Sequence, residues 1–259
     1  MSAIFSRAGL SACIITLNES DRIADCIASL AFCDEIVVVD SGSTDGTREL
    51  ALAAGARVVE REFNGYREQK DFAVGCAGND WVLCLDADER VTEMLKASIE
   101  AERVRGFGGA AGYRFARSTD YFGVPLRHGN AYPDRVLRLF DRRRGGWRGN
   151  REIHEHASVD GAVRTLAGDL EHRAYRSLDD QLARLQRYAR MMAQHLHAEG
   201  RRAHLHNLFV NPCWRFVRGY LIRAGFLDGW RGLLYALIEA NYVREKFIRL
   251  WLLQRGRQH

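Results

Sequence analysis

The chain has 259 residues, of which 47% are hydrophobic, and a formal net charge of +5. This length allows one large α/β domain, or one domain with an appendage, and this composition excludes a wholly disordered chain. The charge is uneven, because from Arg201 onward eleven Lys and Arg stand against three acidic residues, a balance of +8. A basic carboxyl end suggests an anionic partner: a membrane surface, a nucleic acid or a phosphorylated substrate.

Six cysteines are present, and no two have Cys-x-x-Cys spacing. Several stand in apolar runs, so we predict buried, reduced thiols and a cytoplasmic protein instead of a disulfide framework or a zinc site. The first ten residues lack the apolar segment of a signal peptide. No apolar run reaches the roughly 18 residues that a membrane-spanning helix needs.

The first ninety residues alternate between apolar strands and amphipathic helices. The predicted strands are Ser11–Leu17, Glu35–Val39, Arg57–Arg61 and Trp81–Leu85. Helices are predicted to start at a Ser20 cap and to cover Arg48–Ala54 and Gly65–Ala77. This order predicts an α/β fold with a Rossmann-like, mostly parallel sheet that binds ligands at the carboxyl ends of its strands.

A glycine- and serine-rich loop, Asp40–Thr47, follows the second strand. Such a loop lets a ligand approach the backbone closely, and Asp40 stands where the ribose or base of a nucleotide would meet the sheet edge. A tight turn between strand and helix, with Ser and Asp as caps, is the structural alternative, and both can hold at once.

Three carboxylates end the fourth strand, at Asp86, Asp88 and Glu89. Carboxylates at the end of a buried strand repel one another and lose hydration, and a cation removes that cost. Asp86 and Asp88 point to the same side of an extended segment. Oxygen ligands favour Mg²⁺ or Mn²⁺. An acidic turn that caps the next helix, near Thr92, is the alternative.

Beyond residue 90 the pattern changes. A helix over Thr92–Val104 precedes strands at Tyr113–Phe122 and Arg135–Phe140, which we predict to be antiparallel additions. A long amphipathic helix runs from Ser177 to Gly200, and two further helical stretches cover about 203–224 and 228–254. We therefore expect a helical carboxyl-terminal extension.

Three motifs carry a resemblance to a known family. They are Ile15–Glu19 (Ile-Thr-Leu-Asn-Glu), Val39–Thr47 (Val-Asp-Ser-Gly-Ser-Thr-Asp-Gly-Thr) and Leu85–Glu89 (Leu-Asp-Ala-Asp-Glu). Their order and spacing resemble family 2 glycosyltransferases of the GT-A fold. The resemblance implies a UDP-sugar or related donor, a divalent metal (Mg²⁺ or Mn²⁺) and inversion at the anomeric carbon. It implies a catalytic domain over 1–175, with a nucleotide-sugar half (about 10–105) and an acceptor half (about 106–175), before a helical region at 176–259.

The resemblance also implies roles for individual residues. Thr16, Glu19 and Asp40 would contact the base or ribose, Asp88 would hold the metal, and Asp86 would lie near the ribose or the metal. The donor-binding candidates are Thr16, Asn18, Glu19, Asp40, Ser41, Lys70, Asp86 and Arg138. Many relatives have Asn after the basic residue at the position of Lys70, whereas this chain has Asp71.

Later motifs narrow the resemblance. Arg138-Leu139-Phe140, then His154-Glu155, then His172 and the segment Gly225–Gly229 resemble the branch of lipopolysaccharide-core, β-glucosyltransferase-like enzymes. This branch implies a hexosyltransferase, with glucose as the first sugar to test. It also implies a saccharide or lipid-linked acceptor of the bacterial cell envelope.

A sugar transferase needs a base for the acceptor hydroxyl and neutralisation of the departing diphosphate. Glu155 is the candidate base, with Glu152 and Asp134 in reserve. His154 or His172 is a candidate to complete the metal shell, and Arg138 a candidate to meet the diphosphate as a planar donor fork. Each has a structural alternative: a hydrogen-bonded or surface histidine, or an edge-strand arginine.

The carboxyl-terminal helices interleave arginine with aromatic residues from Trp214 to Trp251. This pattern is typical of an interfacial helix and also of a dimer contact. We expect a cytoplasmic protein held peripherally on the inner membrane, or a homodimer, and we find no nucleic-acid-binding motif. The competing functions are a nucleotidyltransferase and a non-catalytic nucleotide-binding or membrane scaffold.

Overall fold

The computed structural model describes residues 7–149 and 155–256 and divides them into two units. The first unit takes the described residues up to Arg117 together with Asp134–His172. The second takes Ser118–Pro133 and the described residues from Arg173 onward. Residues 118–133, which the sequence assigned to the acceptor half, thus group with the helical region, because Tyr121 packs there against Tyr175 and Tyr235.

A nine-stranded sheet carries the first unit. Its strands are β1 (Leu10–Thr16), β2 (Glu35–Asp40), β3 (Arg57–Glu60), β4 (Trp81–Asp86), β5 (Glu89–Val91), β6 (Gly112–Tyr121), β7 (Val124–Pro125), β8 (Asp134–Asp141) and β11 (Val163–His172). Their order is β3-β2-β1-β4-β8-β6-β11-β5, with β7 beside β6. Strand β7 and the end of β6 belong to the second unit. A separate hairpin pairs β9 (Gly145–Arg148) with β10 (His156–Val159). The strands β3, β2, β1 and β4 are parallel, and β8, β6 and β5 join through antiparallel pairs. This mostly parallel sheet with antiparallel additions confirms the predicted fold class.

The parallel strands β1, β2 and β4 are buried on both faces, as their apolar runs predicted, whereas no residue of the edge strand β3 is fully buried. One cluster, which includes Leu10, Ile14 and Leu85, packs on helices α1 (Ile23–Ala28) and α4 (Glu93–Val104). The other, which includes Cys13 and Val82, packs on α3 (Tyr66–Gly75). Helix α2 (Thr47–Ala53) lies between β2 and β3 in the chain.

Strand register brings the predicted site residues to one edge. Thr16 pairs with Asp40 across β1 and β2, and Ile15 pairs with Asp86 across β1 and β4. The ends of three neighbouring parallel strands therefore carry Thr16, Asp40 and Asp86 at the carboxyl edge of the sheet, where open α/β sheets bind ligands.

The second unit is helical, with α5 (Leu178–Ala198), α6 (Val210–Phe216) and α7 (Gly229–Leu253). Helices α5 and α7 pack together, with Ala193 and Leu250 buried in the contact. Gly232 permits a close approach between α7 and the turn that precedes it, because a methyl group on Gly232 would collide with the carbonyl oxygen of Gly225. No helix in the described part of the chain is both long enough and apolar enough to cross a lipid bilayer.

Four local predictions were wrong. Arg22, not Ser20, stands at the amino end of α1, because the amide and the hydroxyl of Ser20 both donate to Asp45. The stretch 203–224 is not one helix: a 3-10 turn precedes α6, and a π-helical turn, Val217–Ile222, follows it. Strands β5, β7, β9, β10 and β11 were not foreseen. Cys213 is exposed and Cys33 and Cys76 are half-buried, although Cys13, Cys26 and Cys84 are buried thiols as predicted.

Candidate functional site

Two loops at the carboxyl edge, after β1 and after β2, are bound to each other by hydrogen bonds. The Asn18 amide donates to Ser43 Oγ at 2.9 Å, and Asn18 Oδ1 accepts from the Thr44 amide at 2.9 Å. The Glu19 amide donates to Thr47 Oγ1, also at 2.9 Å. Asn18 adopts a positive φ of 54°, a conformation that Asn tolerates better than most residues. The loops therefore form one preorganised rim.

Asp40 holds the second of these loops from within. Its side chain is fully buried, and Oδ1 accepts from the Gly42 and Ser43 amides at 2.9 and 2.8 Å. Oδ2 accepts from the Ser43 hydroxyl. In this structure the tight-turn alternative describes the Asp40 carboxylate, and its contact with a nucleotide stays a prediction.

Three other predicted donor-binding residues lie nearby. Thr16 is 5% exposed, and its Oγ1 has no hydrogen-bond partner among the described residues. Ser41 Oγ accepts from Gln69 at 3.1 Å. Glu19 lies 3.6 Å from the Arg22 guanidinium. A buried polar atom without a partner is uncommon in proteins, so the Thr16 hydroxyl at the strand end fits a role in ligand binding.

Asp86 is clamped by two cations from other elements. Lys70 Nζ of α3 lies 3.1 Å from Asp86 Oδ1, and Arg138 Nη2 of β8 lies 2.9 Å from Oδ2. Burial raises the pKa of the Asp86 carboxyl, but the charges of Lys70 and Arg138 outweigh burial and hold that pKa well below its ordinary value. Both carboxylate oxygens are thus occupied by cations that the protein itself supplies.

Glu89 is a member of the site that sequence reasoning left without a role. Its side chain is fully buried, and Oε1 accepts from Arg138 at 3.1 Å and from Arg117 at 3.2 Å. Oε2 accepts from the Asp86 amide at 3.0 Å. The sequence signal for Glu89 was its position directly after Asp88, at the end of β4. Its two arginine partners could not be predicted from that position, because they lie 28 and 49 residues away in the chain.

Asp88 faces a histidine. His172 Nε2, at the end of β11, lies 3.4 Å from Asp88 Oδ2, and the Arg22 guanidinium lies 3.8 Å from the same oxygen. Burial raises the pKa of the Asp88 carboxyl, but the hydrogen bond and charge of His172 outweigh it, so the net shift is downward. The structure therefore brings together two of the four predicted metal ligands, Asp88 and His172.

These two residues fit Mg²⁺ or Mn²⁺ only in part. A carboxylate oxygen and an imidazole nitrogen are donors that Mn²⁺ accepts, and Mg²⁺ commonly takes one or two carboxylates plus substrate phosphates. Within residues 7–149 and 155–256, no group of three or more such side chains is placed to hold an ion. His154 lies outside the described residues. The fit is that of an ion completed by a diphosphate.

The candidate base, Glu155, shares Lys70 with Asp86. Glu155 Oε1 lies 3.3 Å from Lys70 Nζ, and the Glu155 side chain is 21% exposed. Of the reserve candidates, Asp134 pairs with Arg117 at 2.7 Å, and Glu152 lies outside the described residues. One lysine thus links the carboxylate at the end of β4 to the carboxylate predicted to take the acceptor proton.

Trp147, on β9, forms the floor under these cations. Lys70 Nζ lies 4.6 Å and the Arg138 guanidinium carbon 5.2 Å from its ring centroid, within cation–π range. Asp71 Oδ1 accepts from the Trp147 amide at 2.8 Å, a bond that an Asn side-chain oxygen would also accept. Trp147 Nε1 and Arg138 Nη1 are buried donors without partners in the described structure. Two such donors beside Asp86 suit an oxygen-rich, anionic ligand.

Comparison with known proteins assigns the chain to a protein family. The sequence model of the family described as Glycosyl transferase family 2 matches residues 11–160. The chain belongs to that family, and its fold is the GT-A fold. Among curated relatives, it is 32% identical to the lipopolysaccharide core biosynthesis glycosyltransferase LpsC of Rhizobium meliloti, over 92% of each chain. An uncharacterised glycosyltransferase of Rickettsia prowazekii is 29% identical over 93% of this chain and 85% of its own.

Solved structures with similar folds are more distant. Glucosyl-3-phosphoglycerate synthase of Mycobacterium tuberculosis, in a complex with Mn²⁺, UDP and glucosyl-3-phosphoglycerate, is 21% identical with a TM-score of 0.46. The match covers 75% of this chain and 81% of that one. Mannosyl-3-phosphoglycerate synthase of Rubrobacter xylanophilus is 20% identical with a TM-score of 0.47, over 76% and 77% of the two chains.

Proposed function

We propose that this glycosyltransferase is a metal-dependent, inverting enzyme that moves a hexose from a UDP-sugar to a saccharide or lipid-linked acceptor. The acceptor class we propose is the lipopolysaccharide core or another glycan of the bacterial envelope, with glucose as the first sugar to test. The relative named for lipopolysaccharide core biosynthesis supports this acceptor class. The observation that carries the proposed chemistry is the single cluster in which Lys70 contacts both Asp86 and Glu155.

The donor's diphosphate needs positive charge as its bond to the sugar breaks. Lys70 and Arg138 supply two buried cations, and Arg138 Nη1 is a donor that no residue in the described chain satisfies. Because both cations are already fixed by Asp86 and Glu89, they stabilise the leaving group with little reorganisation. The rim built by Asn18 and Asp40 would hold the nucleoside end.

Asp88 and His172 would hold the metal together with the diphosphate. When bound there, the ion supplies further neutralisation of the departing UDP. His154 stays a proposed ligand, and Asp86 stays a proposed ligand or ribose contact. Asp86 serves its two cations in the structure described here, so of the two aspartates we favour Asp88 as the ligand.

Glu155 would take the proton of the acceptor hydroxyl. The hydroxyl oxygen forms its bond to the anomeric carbon from the face opposite the diphosphate, the bond from that carbon to the phosphate oxygen breaks, and the configuration inverts. The proton passes to Glu155 and then to solvent, so charge and atoms balance. A base positioned in this way contributes about 10²–10⁴-fold to the rate.

The proposal includes the location of the enzyme in the cell. A lipid-linked acceptor presents its sugars at a membrane surface, so an enzyme that uses it gains by residing there. We propose peripheral attachment to the cytoplasmic face of the inner membrane, which the +8 balance after Arg201 supports.

The proposal is tested by incubating the full chain with a panel of UDP-sugars, Mn²⁺ and bacterial envelope glycolipid. We expect release of UDP with one donor, dependence on acceptor, and loss of turnover when EDTA removes the metal. Release of pyrophosphate instead of UDP would identify a nucleotidyltransferase. Absence of turnover with every donor and acceptor, from protein that binds UDP, would favour the non-catalytic scaffold.

A substitution tests the metal assignment. Asp88→Asn keeps the shape of the side chain but removes the charge that faces His172, so Mn²⁺-dependent binding of UDP should weaken by about 10–100-fold, the scale seen when metal-site partners are lost. Titration calorimetry with UDP, with and without Mn²⁺, measures this change. Asp160→Asn, at an exposed turn of the same unit, is the matched control and should bind as the unaltered protein does. Equal Mn²⁺ dependence in both variants would move the metal away from Asp88.

A further inference from the structure

A segment of the second unit combines arginine with apolar residues and contains no acid. From Arg201 to Leu227 the chain has five arginines and neither Asp nor Glu. The segment runs through the 3-10 turn at Leu205–Leu208, helix α6, the π-helical turn and the turn that precedes α7. In a chain with 33 acidic residues, such a stretch marks a surface with one sign of charge.

Apolar side chains on this segment are unusually open to solvent. Phe209 is 68% exposed, Ile222 63% and Leu227 60%, and Trp230, in the first turn of α7, is 57% exposed. We call the exposed set the apolar–arginine surface. Its apolar members are Leu205, Phe209, Val210, Trp214, Leu221, Ile222, Phe226, Leu227, Trp230, Leu233 and Leu237.

Two members of this set also contact neighbouring aromatic rings. The rings of Tyr220 and Phe226 lie 6.3 Å apart, and those of Phe122 and Trp230 lie 5.8 Å apart. Trp230, Leu233 and Leu237 share one face of α7 because they lie three and four residues apart. Scattered exposed apolar residues need no explanation, but eleven between Leu205 and Leu237 indicate a binding surface.

The arginines of this surface are available for a partner. Arg201, Arg202, Arg218 and Arg223 have no acidic partner among the residues that the structure describes. By contrast, Arg215 pairs with Glu239 and Arg249 pairs with Glu245 within the unit. Four arginines without counter-charges, in a segment that also exposes Phe209, Trp214 and Leu227, match the composition of helices that lie in a lipid interface.

We propose that the apolar–arginine surface inserts shallowly into an anionic lipid bilayer and is the part of the protein that holds it there. A second copy of the chain is a poorer occupant, because a symmetric contact would bring arginine against arginine with no acid from the segment between them. Trp251, which ends the stretch of interleaved arginine and aromatic residues, packs beside Ala193 and Leu250 and under Arg255. The anchors are therefore Trp214 and Trp230. The inference gives a location to the proposed membrane attachment but needs no assumption about donor or acceptor.

Sedimentation with vesicles tests the proposal on the full chain. Vesicles of phosphatidylcholine with phosphatidylglycerol should bind the protein at low salt and release most of it at high salt, and vesicles of phosphatidylcholine alone should bind it weakly. Arg223→Gln should lower the partition coefficient about fivefold, because each arginine near an anionic surface contributes about that factor. The double variant Leu227→Gln, Trp230→Gln should lower it about tenfold or more.

Matched controls come from the first unit. Leu52 is 59% exposed, like Leu227, so Leu52→Gln removes elsewhere as much exposed leucine as the double variant loses at Leu227 and should leave the partition unchanged. Arg105→Gln, at an exposed site directly after α4, removes one charge as Arg223→Gln does and should have little effect. UDP binding in solution should be the same in all four variants, which shows that they are folded.

The outcomes separate this proposal from the proposed function. Failure of the full chain to bind anionic vesicles at low salt overturns the proposal, as does equal loss from the Leu52 variant and the double variant. Concentration-dependent dimers that the double variant disrupts would show that a second copy covers the surface. Vesicle binding without turnover of any UDP-sugar would leave this surface in place and count against the proposed function alone.

Discussion

Glu155→Gln is expected to lower kcat by about 10²–10⁴-fold and to leave UDP binding nearly unchanged. The amide keeps the size of the side chain and its contact distance to Lys70, 3.3 Å in the structure, but it cannot take the proton of the acceptor hydroxyl. Steady-state kinetics with acceptor varied, together with calorimetry for UDP, separates the two effects. A loss in kcat without a loss in nucleotide affinity is the signature of a group that acts on the acceptor.

Two other variants test whether Glu155, and not another carboxylate, is the base. Asp134→Asn tests the reserve base, whose carboxylate pairs with Arg117 and is 44% exposed. Glu93→Gln, at a 90% exposed position on α4, reports the effect of a neutral carboxylate-to-amide change. If Glu155→Gln retains full activity while Asp134→Asn loses it, then Asp134 is the base. The Glu93 variant should match the unaltered protein.

Lys70 links this result to donor binding. The same ammonium group contacts Asp86 at 3.1 Å and Glu155 at 3.3 Å, with Trp147 beneath it. A donor diphosphate that draws on Lys70 therefore competes with both carboxylates for one charge. Because Glu155→Gln removes one of those competitors, UDP affinity should rise slightly if it changes at all. A marked fall would mean that Glu155 contacts the donor.

Most of the parallel half of the fold was predictable because β1, β2 and β4 are buried on both faces. Continuous apolar runs such as Trp81–Leu85 can be read without knowing their neighbours, and the strand β4 extends one residue further, to Asp86. Strand β11 gave no such signal: Val163–His172 is exposed or half-buried at every position except Leu170. Its place depends on pairing with the short β5, a contact between segments some 80 residues apart.

The site was predictable where a residue follows a strand directly and unpredictable where its role depends on a distant partner. Asp86 and Asp88 could be identified from spacing alone. The pairing of Asp88 with His172 brings residues 84 positions apart together, and the resemblance to a family suggested it where the pattern of residues did not. Asp40 is fully buried within its own turn, which was one of the two interpretations that the sequence left open. The sequence could not choose between them, because an Asp is suited to this position both as a cap of the turn and as a ligand contact.

In the second unit, the sequence pattern predicted a more regular structure than the chain adopts. Helical periodicity over 203–224 predicted one continuous helix, but the π-helical turn at Val217–Ile222 interrupts it. Gly219 and Gly225 approach each other there, because a methyl group on Gly225 would lie 2.7 Å from the Gly219 carbonyl oxygen. Such close packing between glycines leaves no periodic mark in the sequence, since it depends on the absence of side chains.

Glu89 is the acceptor that Arg117 and Arg138, two cations of the site, share. It is fully buried, and its two oxygens accept from Arg138, from Arg117 and from the Asp86 amide. Burial lowers the pKa of the Arg138 guanidinium, but Glu89 and then Asp86 outweigh that effect and raise it well above its ordinary value. The carboxylate thus keeps a buried charge in place behind the Asp86–Asp88 loop.

Glu89→Ala is therefore expected to lower the free energy of unfolding of the first unit by about 3–5 kcal/mol, the usual cost of removing one partner from a buried ion pair. Arg117 and Arg138 would lose a shared acceptor, the Asp86 amide would lose its bond to Glu89 Oε2, and Arg138 would keep its contact with Asp86. Urea unfolding followed by tryptophan fluorescence measures the change, with Trp81 and Trp147 reporting from the first unit. Glu93→Ala, four residues further along and 90% exposed, should change it by less than about 0.5 kcal/mol. Equal stability of the two variants would show that the arginines do not need Glu89, and that the loop is held by Lys70 and Arg138 acting on Asp86.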